Sequence, residues 1–224
     1  MTRCVPRTDW SAFRSASGTA PWRFRIFAAV DSLLPLKTEI RLREGRRLKQ
    51  TSAIYDLSRK TVTLTNLTKV FWPEAHITKG DLLQYYADVS SYLLPHIQSR
   101  AMVMKRYPDG ASGEFFFQKR APKSRPEWIP VCEIQHPSAN LVDFPVINDL
   151  TALLWVVNLG CIDLNPWYAT CDDVDRPDYL HFDLDPTPGA EFPLVLEAAL
   201  LLREALEAHK IKSYAKTTGS RGIH

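Results

Sequence analysis

The sequence predicts an α+β fold, and three observations point there. Strand-like runs recur at residues 61–65, 101–106, 113–119, 161–167, 179–186 and 211–215. Runs with helical spacing fall at residues 78–94, 150–159 and 190–210, so neither element type dominates. With 224 residues and 45% hydrophobic content the chain can fill a core, as one large domain or two small ones.

Net charge is only +3, so its distribution says more than its sum. Residues 1–50 carry nine Arg and two Lys against two Asp and two Glu, a surplus of seven, and the remainder therefore carries 3 − 7 = −4. A basic leading segment suits contact with nucleic acid or a solvated tail. Residues 33–48 within it suit a short amphipathic piece, and residues 1–55 are set apart from a domain over 56–224. Four cysteines show no metal-ligand spacing, no signal peptide is evident, and no run approaches the roughly 20 apolar residues of a membrane span. These features predict a reduced, cytoplasmic protein.

Taken in order, Thr61-Val-Thr-Leu-Thr65 alternates as a strand, Asn66-Leu-Thr-Lys69 forms a turn, and Phe71-Trp72-Pro73 anchors the loop in the core. Thr78 suits an N-cap with Asp81 three residues on, a variant capping box. The helix then carries one apolar stripe through Leu82, Leu83, Tyr86, Val89, Leu93 and Leu94 and is expected to stop before Pro95. Lys79 in its first turn opposes the helix dipole, which hints at an anion there. Lys105-Arg106 ends a strand at the turn Tyr107-Pro-Asp-Gly110. Phe115, Phe116 and Phe117 lie on the next strand. Alternation cannot bury all three on one side, so they suit either a sheet covered on both faces or a ring offered to a base. Lys119, Arg120, Lys123 and Arg125 make the next, proline-punctuated loop cationic. Asn148 or Asp149 caps a buried helix ending at Gly160. Asp172, Asp173, Asp175 and Asp178 are expected to form a solvated acidic loop. The helix over 190–210, with Pro193 in its first turn, has too many apolar positions for a narrow stripe and is expected to be well covered.

Tyr179-Leu-His-Phe-Asp-Leu-Asp-Pro186 carries the chemistry. As a strand it sends Leu180, Phe182 and Leu184 to one face and His181, Asp183 and Asp185 to the other. Asp183 and Asp185 then lie roughly 6–7 Å apart along the chain, close enough to converge on a hard cation. The same pattern suits an edge strand with two solvated acids. The apolar opposite face, the turn at Pro186, Pro188 and Gly189, and the basic residues downstream favour the cation. Gly219-Ser-Arg-Gly222 supplies backbone N–H groups, a hydroxyl and a guanidinium, the chemistry that cradles phosphates.

Together these residues resemble the primase-type polymerase domain of bacterial DNA ligase D, within the archaeo-eukaryotic primase superfamily. The resemblance runs from about residue 63 to His224. It rests on Leu64-Thr-Asn-Leu-Thr-Lys-Val-Phe-Trp-Pro-Glu74, Lys105-Arg-Tyr-Pro-Asp-Gly110, Phe116-Phe-Gln-Lys119, residues 180–186, and Thr218-Gly-Ser-Arg-Gly-Ile-His224.

The resemblance implies mixed or antiparallel sheets flanked by helices around a primase-like core. It implies a template-guided nucleotidyl transferase of non-homologous end joining, nucleoid-associated, that fills gaps and favours ribonucleoside triphosphates. By the same likeness Asp183 and Asp185 bind two manganese or magnesium ions, which activate the primer 3′-hydroxyl and steady the leaving pyrophosphate. Asn66, Lys69 and Lys79 match a pocket for the 5′-phosphate of a DNA end. Lys105 matches a nucleic-acid contact and Phe117 a ring stacked on a template base. Asn165, which stands where many relatives have a His, matches a nucleotide contact, and Thr218, Ser220, Arg221 and His224 match the loop holding the nucleotide's phosphates. Ku and a ligase module are the implied partners.

The family draws a third aspartate from beyond the glycine loop, and the sequence stops at His224. An incomplete C-terminus, an uncovered sheet edge and a non-catalytic DNA-end-binding role are therefore expectations beside catalysis. A metal-dependent phosphohydrolase using the same acids is a third.

Overall fold

The computed structural model describes residues 53–57, 60–135 and 140–224, the first five by backbone alone. The basic segment over 1–50, with its amphipathic piece, lies outside them. In chain order the elements are β1 (Ala53–Leu57), β2 (Lys60–Leu64), β3 (Val70–Trp72), β4 (Ile77–Thr78), α1 (Lys79–Ile97), β5 (Met102–Arg106) and β6 (Phe116–Gln118). There follow β7 (Val131–Gln135), β8 (Leu141–Pro145), α2 (Leu150–Asn158), β9 (Cys161–Pro166) and α3 (Phe192–Ala208). β1 pairs with β2, β3 with β4, and β7 with β8; the larger sheet runs β6-β5-β9. Each of these ladders is antiparallel. This is the α+β architecture the sequence predicts.

The core forms around α2. Residues 151–157 of that helix are all buried, and Leu64, Phe71, Leu83, Met102, Met104 and Ile147 close over it. Each such side chain contributes about 1.5–3 kcal/mol through burial. Asp149 caps α2, its carboxylate accepting from the Ala152 amide at 2.9 Å, and Gly160 leaves the helix at φ 81°. A smaller cluster of Ala101, Cys132, Ile134, Phe144 and Val146 lies under the β7–β8 hairpin.

At the start of α1 the capping box is complete. Thr78 Oγ1 accepts from the Asp81 amide at 3.2 Å, and the Asp81 carboxylate accepts from the Thr78 amide at 2.8 Å. The helix does not stop before Pro95 but runs through it to Ile97. Proline denies the helix one amide donor, to the Ser91 carbonyl, and with only Pro95–Ile97 beyond that point little of the helix is left to be disturbed.

The stretch leading to the paired acids is held from below by Arg100, a buried cation. Its Nη1 and Nη2 donate to Asp178 Oδ1 and Oδ2 at 2.7 and 2.6 Å, and its guanidinium lies 4.6 Å from the Tyr179 ring centroid. Asp178 is therefore not one more solvated loop acid; the hydrogen bonds from Arg100 hold its carboxyl below the usual range.

The C-terminal third departs most from expectation. Residues 179–186 form no continuous strand; Leu184 alone makes a bridge, to Ile223. Their apolar side is not covered, with Leu180 68% and Phe182 37% exposed. Residues 211–215 are irregular and exposed rather than a strand. α3 forms where predicted, but Val195 is its one buried residue while Leu194, Leu196, Leu200 and Leu201 are exposed. Local propensity makes the helix; among the described residues nothing packs on most of its surface.

Candidate functional site

The acids and the glycine loop meet through two hydrogen bonds. The Leu184 amide donates to Ile223 O at 2.9 Å, and the Ile223 amide returns to Leu184 O at 3.2 Å. In an antiparallel pair the flanking positions face each other across a shorter, unbonded gap. That places Asp183 beside His224 and Asp185 beside Gly222. Asp183 Oδ1 lies 3.4 Å from His224 Nε2. A Cβ on Gly222 would fall 2.5 Å from Asp185 Oδ1 and 2.8 Å from the backbone oxygen of Leu184, so only glycine fits without the bridge shifting.

The loop itself is a small hairpin. Lys216 and His224 exchange backbone hydrogen bonds at 2.9 and 2.8 Å. At the tip Gly219 adopts φ 82°, and the Ser220 and Gly222 amides converge on Thr218 Oγ1, each at 3.2 Å. Arg221 is exposed. The rings of His181 and His224 are 4.5 Å apart, and Tyr168 hydrogen-bonds His181 through its hydroxyl. The strand alternation already put His181 on the acids' side, so this neighbour was legible without an assigned role. Tyr168 had no sequence signal.

The two carboxylates are hard oxygen donors of the class that magnesium and manganese take, and Asp183 is open to solvent. Among the described residues no set of three His, Cys, Asp or Glu converges to hold an ion.

A second group gathers at the start of α1. Asn66 takes φ 56°, turning the chain so that Leu67 O and Lys69 O accept the Gly80 and Lys79 amides at 2.8 Å each. The helix N-terminus is thereby satisfied by the 66–69 turn. Lys79 faces inward, 4% exposed, and donates through Nζ to Thr65 O at 2.7 Å. Burial first, then the charges of Lys69 and Arg106, bring its pKa down to about 8. Lys69 stays more open, its Nζ reaching Pro108 O at 2.6 Å and Asp109 Oδ1 at 3.0 Å. The three residues therefore do come together, as two cations of unequal exposure beside a left-handed turn.

The third group lies on the β6-β5-β9 sheet. Lys105 Nζ sits 3.2 Å from Asp163 Oδ2 and faces the Phe115, Tyr107 and Phe117 rings at 4.3, 5.3 and 5.8 Å. Hydrogen bonding to Tyr107 and then Asp163 keeps its pKa above the ordinary lysine value. Phe116 points the other way, over Arg106 at 5.2 Å. All three phenyl rings are exposed, Phe117 the most at 59%, so this is not a sheet covered on both faces. Asn165, opposite Val103 in the ladder, donates weakly to Val103 O and Asp163 O at 3.4 and 3.3 Å.

A family model described as LigD, primase-polymerase domain, matches residues 78–224. The chain belongs to that family. The Multifunctional non-homologous end joining protein LigD of Mycolicibacterium smegmatis is 32% identical over 165 residues, 73% of this chain and 22% of that protein. The Bifunctional non-homologous end joining protein LigD of Bacillus subtilis is 33% identical over 159 residues, 71% of this chain and 25% of that protein. Among solved structures, the polymerase domain of Mycobacterium tuberculosis Ligase D in complex with DNA superposes with a TM-score of 0.64 at 30% identity, over 72% of this chain and 59% of that one. The chain thus spans about a quarter of the length of the LigD proteins it matches. The three residue groups lie within or just ahead of the matched LigD segment, the acids and the glycine loop at its end. Among the described residues no helix is long and apolar enough to cross a membrane.

Proposed function

We propose that this chain is a template-guided nucleotidyl transferase of non-homologous end joining that fills gaps at 5′-phosphorylated DNA ends. The observation that carries the reading is the Leu184–Ile223 bridge, which sets both carboxylates against the phosphate-type loop. In this reading Asp183 and Asp185 would hold two manganese or magnesium ions, which would supply positive charge to offset the negative charge that develops in phosphoryl transfer. Thr218, Ser220, Arg221 and His224 hold the triphosphate of an incoming nucleotide, a ribonucleotide by preference, with Asn165 at its side. The protein's own part is to position and neutralise rather than to form bonds.

The solved mycobacterial relative is described in complex with DNA, and DNA is the partner proposed here. Lys69 and Asn66 take the 5′-phosphate, with Lys79 behind them adding positive potential from inside the fold. Lys105 meets the nucleic acid and Phe117 stacks on a template base. Ku and a ligase module are the proposed protein partners, at the nucleoid.

Primer extension on a gapped duplex with a 5′-phosphate and manganese tests this. Incorporation that vanishes in Asp183→Ala is the expected result. Phosphate-dependent binding without incorporation would instead mark a DNA-end-binding module. Template-independent release of inorganic phosphate would mark a phosphohydrolase.

A further inference from the structure

A cleft of about 290 Å³ opens beyond the Phe117 strand, lined by Arg120, Lys123, Arg125, Val131 and Asp143. Its floor is fixed. The Ala121 amide donates to Asp143 O at 2.7 Å, and Arg120 donates through Nη2 to Leu141 O at 2.6 Å. Arg120 also lies 3.6 Å from the Asp143 carboxylate. Arg125 is held within its own loop, donating to Pro126 O at 3.1 Å and to Ile129 O. Asp143 stands opposite Glu133 in the β7–β8 ladder, so one acid of that pair is taken up by Arg120.

Lys119 and Lys123 are exposed, and neither has an ion-pair partner among the described residues. Lys119 follows Phe117 by about 6–7 Å of extended chain. An exposed ring followed by unpaired cations over a rigid floor is the arrangement that binds a single strand, stacking a base while tracking the backbone. A compact anion would be met equally well by Arg120 or Arg125, but both guanidiniums are tied to carbonyls. Among the described residues at this cleft, Lys119 and Lys123 are the cations tied to neither a carbonyl nor a carboxylate, and they are strung along the chain.

We propose that Lys119, next in the chain to the cleft residue Arg120, and Lys123, which lines the cleft, are backbone contacts for a nucleic-acid single strand running on from the base at Phe117. The proposal rests on the nucleic-acid reading of the site and names a contact that reading does not assign.

The test is the salt dependence of binding by the full chain to a 5′-phosphorylated duplex carrying single-strand overhangs of increasing length. Two lost single-strand contacts should flatten the slope of log K against log salt by about 1.4 and weaken binding about 25-fold at 0.1 M salt. The Lys119→Ala/Lys123→Ala variant should show that loss, growing with overhang length, while its preference for a 5′-phosphate over a 5′-hydroxyl stays that of the unaltered chain. The charge-matched Arg203→Ala/Lys210→Ala variant should bind as the unaltered chain does.

An unchanged slope, an equal loss in the control, or a loss independent of overhang length overturns the proposal while leaving the general reading in place. Loss of ATP binding with the DNA slope intact overturns it in favour of a nucleotide subsite. Absence of DNA binding by the unaltered chain defeats both readings together.

Discussion

Gly222→Ala probes the geometry on which the site depends. The new methyl would sit 2.8 Å from Leu184 O and 2.5 Å from Asp185 Oδ1, where carbon contacts are comfortable only near 3.5 Å. Asp185 can rotate away, but Leu184 O is backbone. Relief needs a separation of about 0.6–0.7 Å, which stretches the 3.2 Å bond from the Ile223 amide to Leu184 O past any useful hydrogen-bond length. Losing that bond costs about 1 kcal/mol, and residual crowding adds about 1–3 kcal/mol. Local opening should become easier by roughly 2–4 kcal/mol, which speeds amide exchange at Leu184 and Ile223 by about two orders of magnitude. A displacement of this size at the carboxylates should lower nucleotide incorporation on the order of 100-fold. Gly219→Ala is the control: φ is 82° there, but nothing lies within 4 Å of the new Cβ, so the cost is backbone strain at the loop tip. Exchange mass spectrometry compares the two. Unchanged protection at 184 and 223 in Gly222→Ala, with normal incorporation, would refute the argument.

Lys79 makes stability depend on pH in an unusual direction. Folded Lys79 releases its proton near pH 8 and the unfolded chain near 10.5, so between these values the unfolded chain binds the extra proton and raising pH favours the fold. Urea melts should show a gain on the order of 2 kcal/mol from pH 8 to 10 in the unaltered chain relative to Lys79→Met; parallel pH curves would contradict the burial argument. Lys69→Ala should remove most of the discrimination between 5′-phosphorylated and 5′-hydroxyl ends in anisotropy titrations, whereas equal weakening on both would make Lys69 a generic electrostatic contact. Phe117→Ala should cost about 1–3 kcal/mol in binding to a template overhang and leave blunt-end binding unchanged; no effect on overhangs would remove the stacking role.

How much of this was legible beforehand depended on whether a signal was local. The capping box at Thr78 and Asp81, the Asp149 cap and the positive-φ stop at Gly160 are short-range chemistry, and all three stand as read. So does the opposition of Phe116 to Phe115 and Phe117, since alternation is a property of the strand itself. What failed needed partners far along the chain. Residues 179–186 alternate as a strand should, but a strand exists only where neighbours pair with it, and here one bridge does. The leucines of α3 predicted cover that the described residues do not supply. The Arg100–Asp178 pair joins positions 78 apart, beyond the reach of any periodicity. Gly222 sat inside a recognised motif, yet its reason, the Leu184 carbonyl oxygen where a Cβ would stand, appears only when the two segments are laid side by side.

The bridge between Leu184 and Ile223 also ties off everything between them, a loop of roughly forty residues whose closure entropy scarcely depends on its length. Doubling such a loop costs only about 0.6 kcal/mol, and Gly189 near its start stands in open space at φ 88°. The excursion carrying α3 is therefore a tether that can be lengthened or trimmed there while the segments carrying Asp183 and Gly222 keep their register, because what aligns them is the two-bond clasp and not the length of chain between.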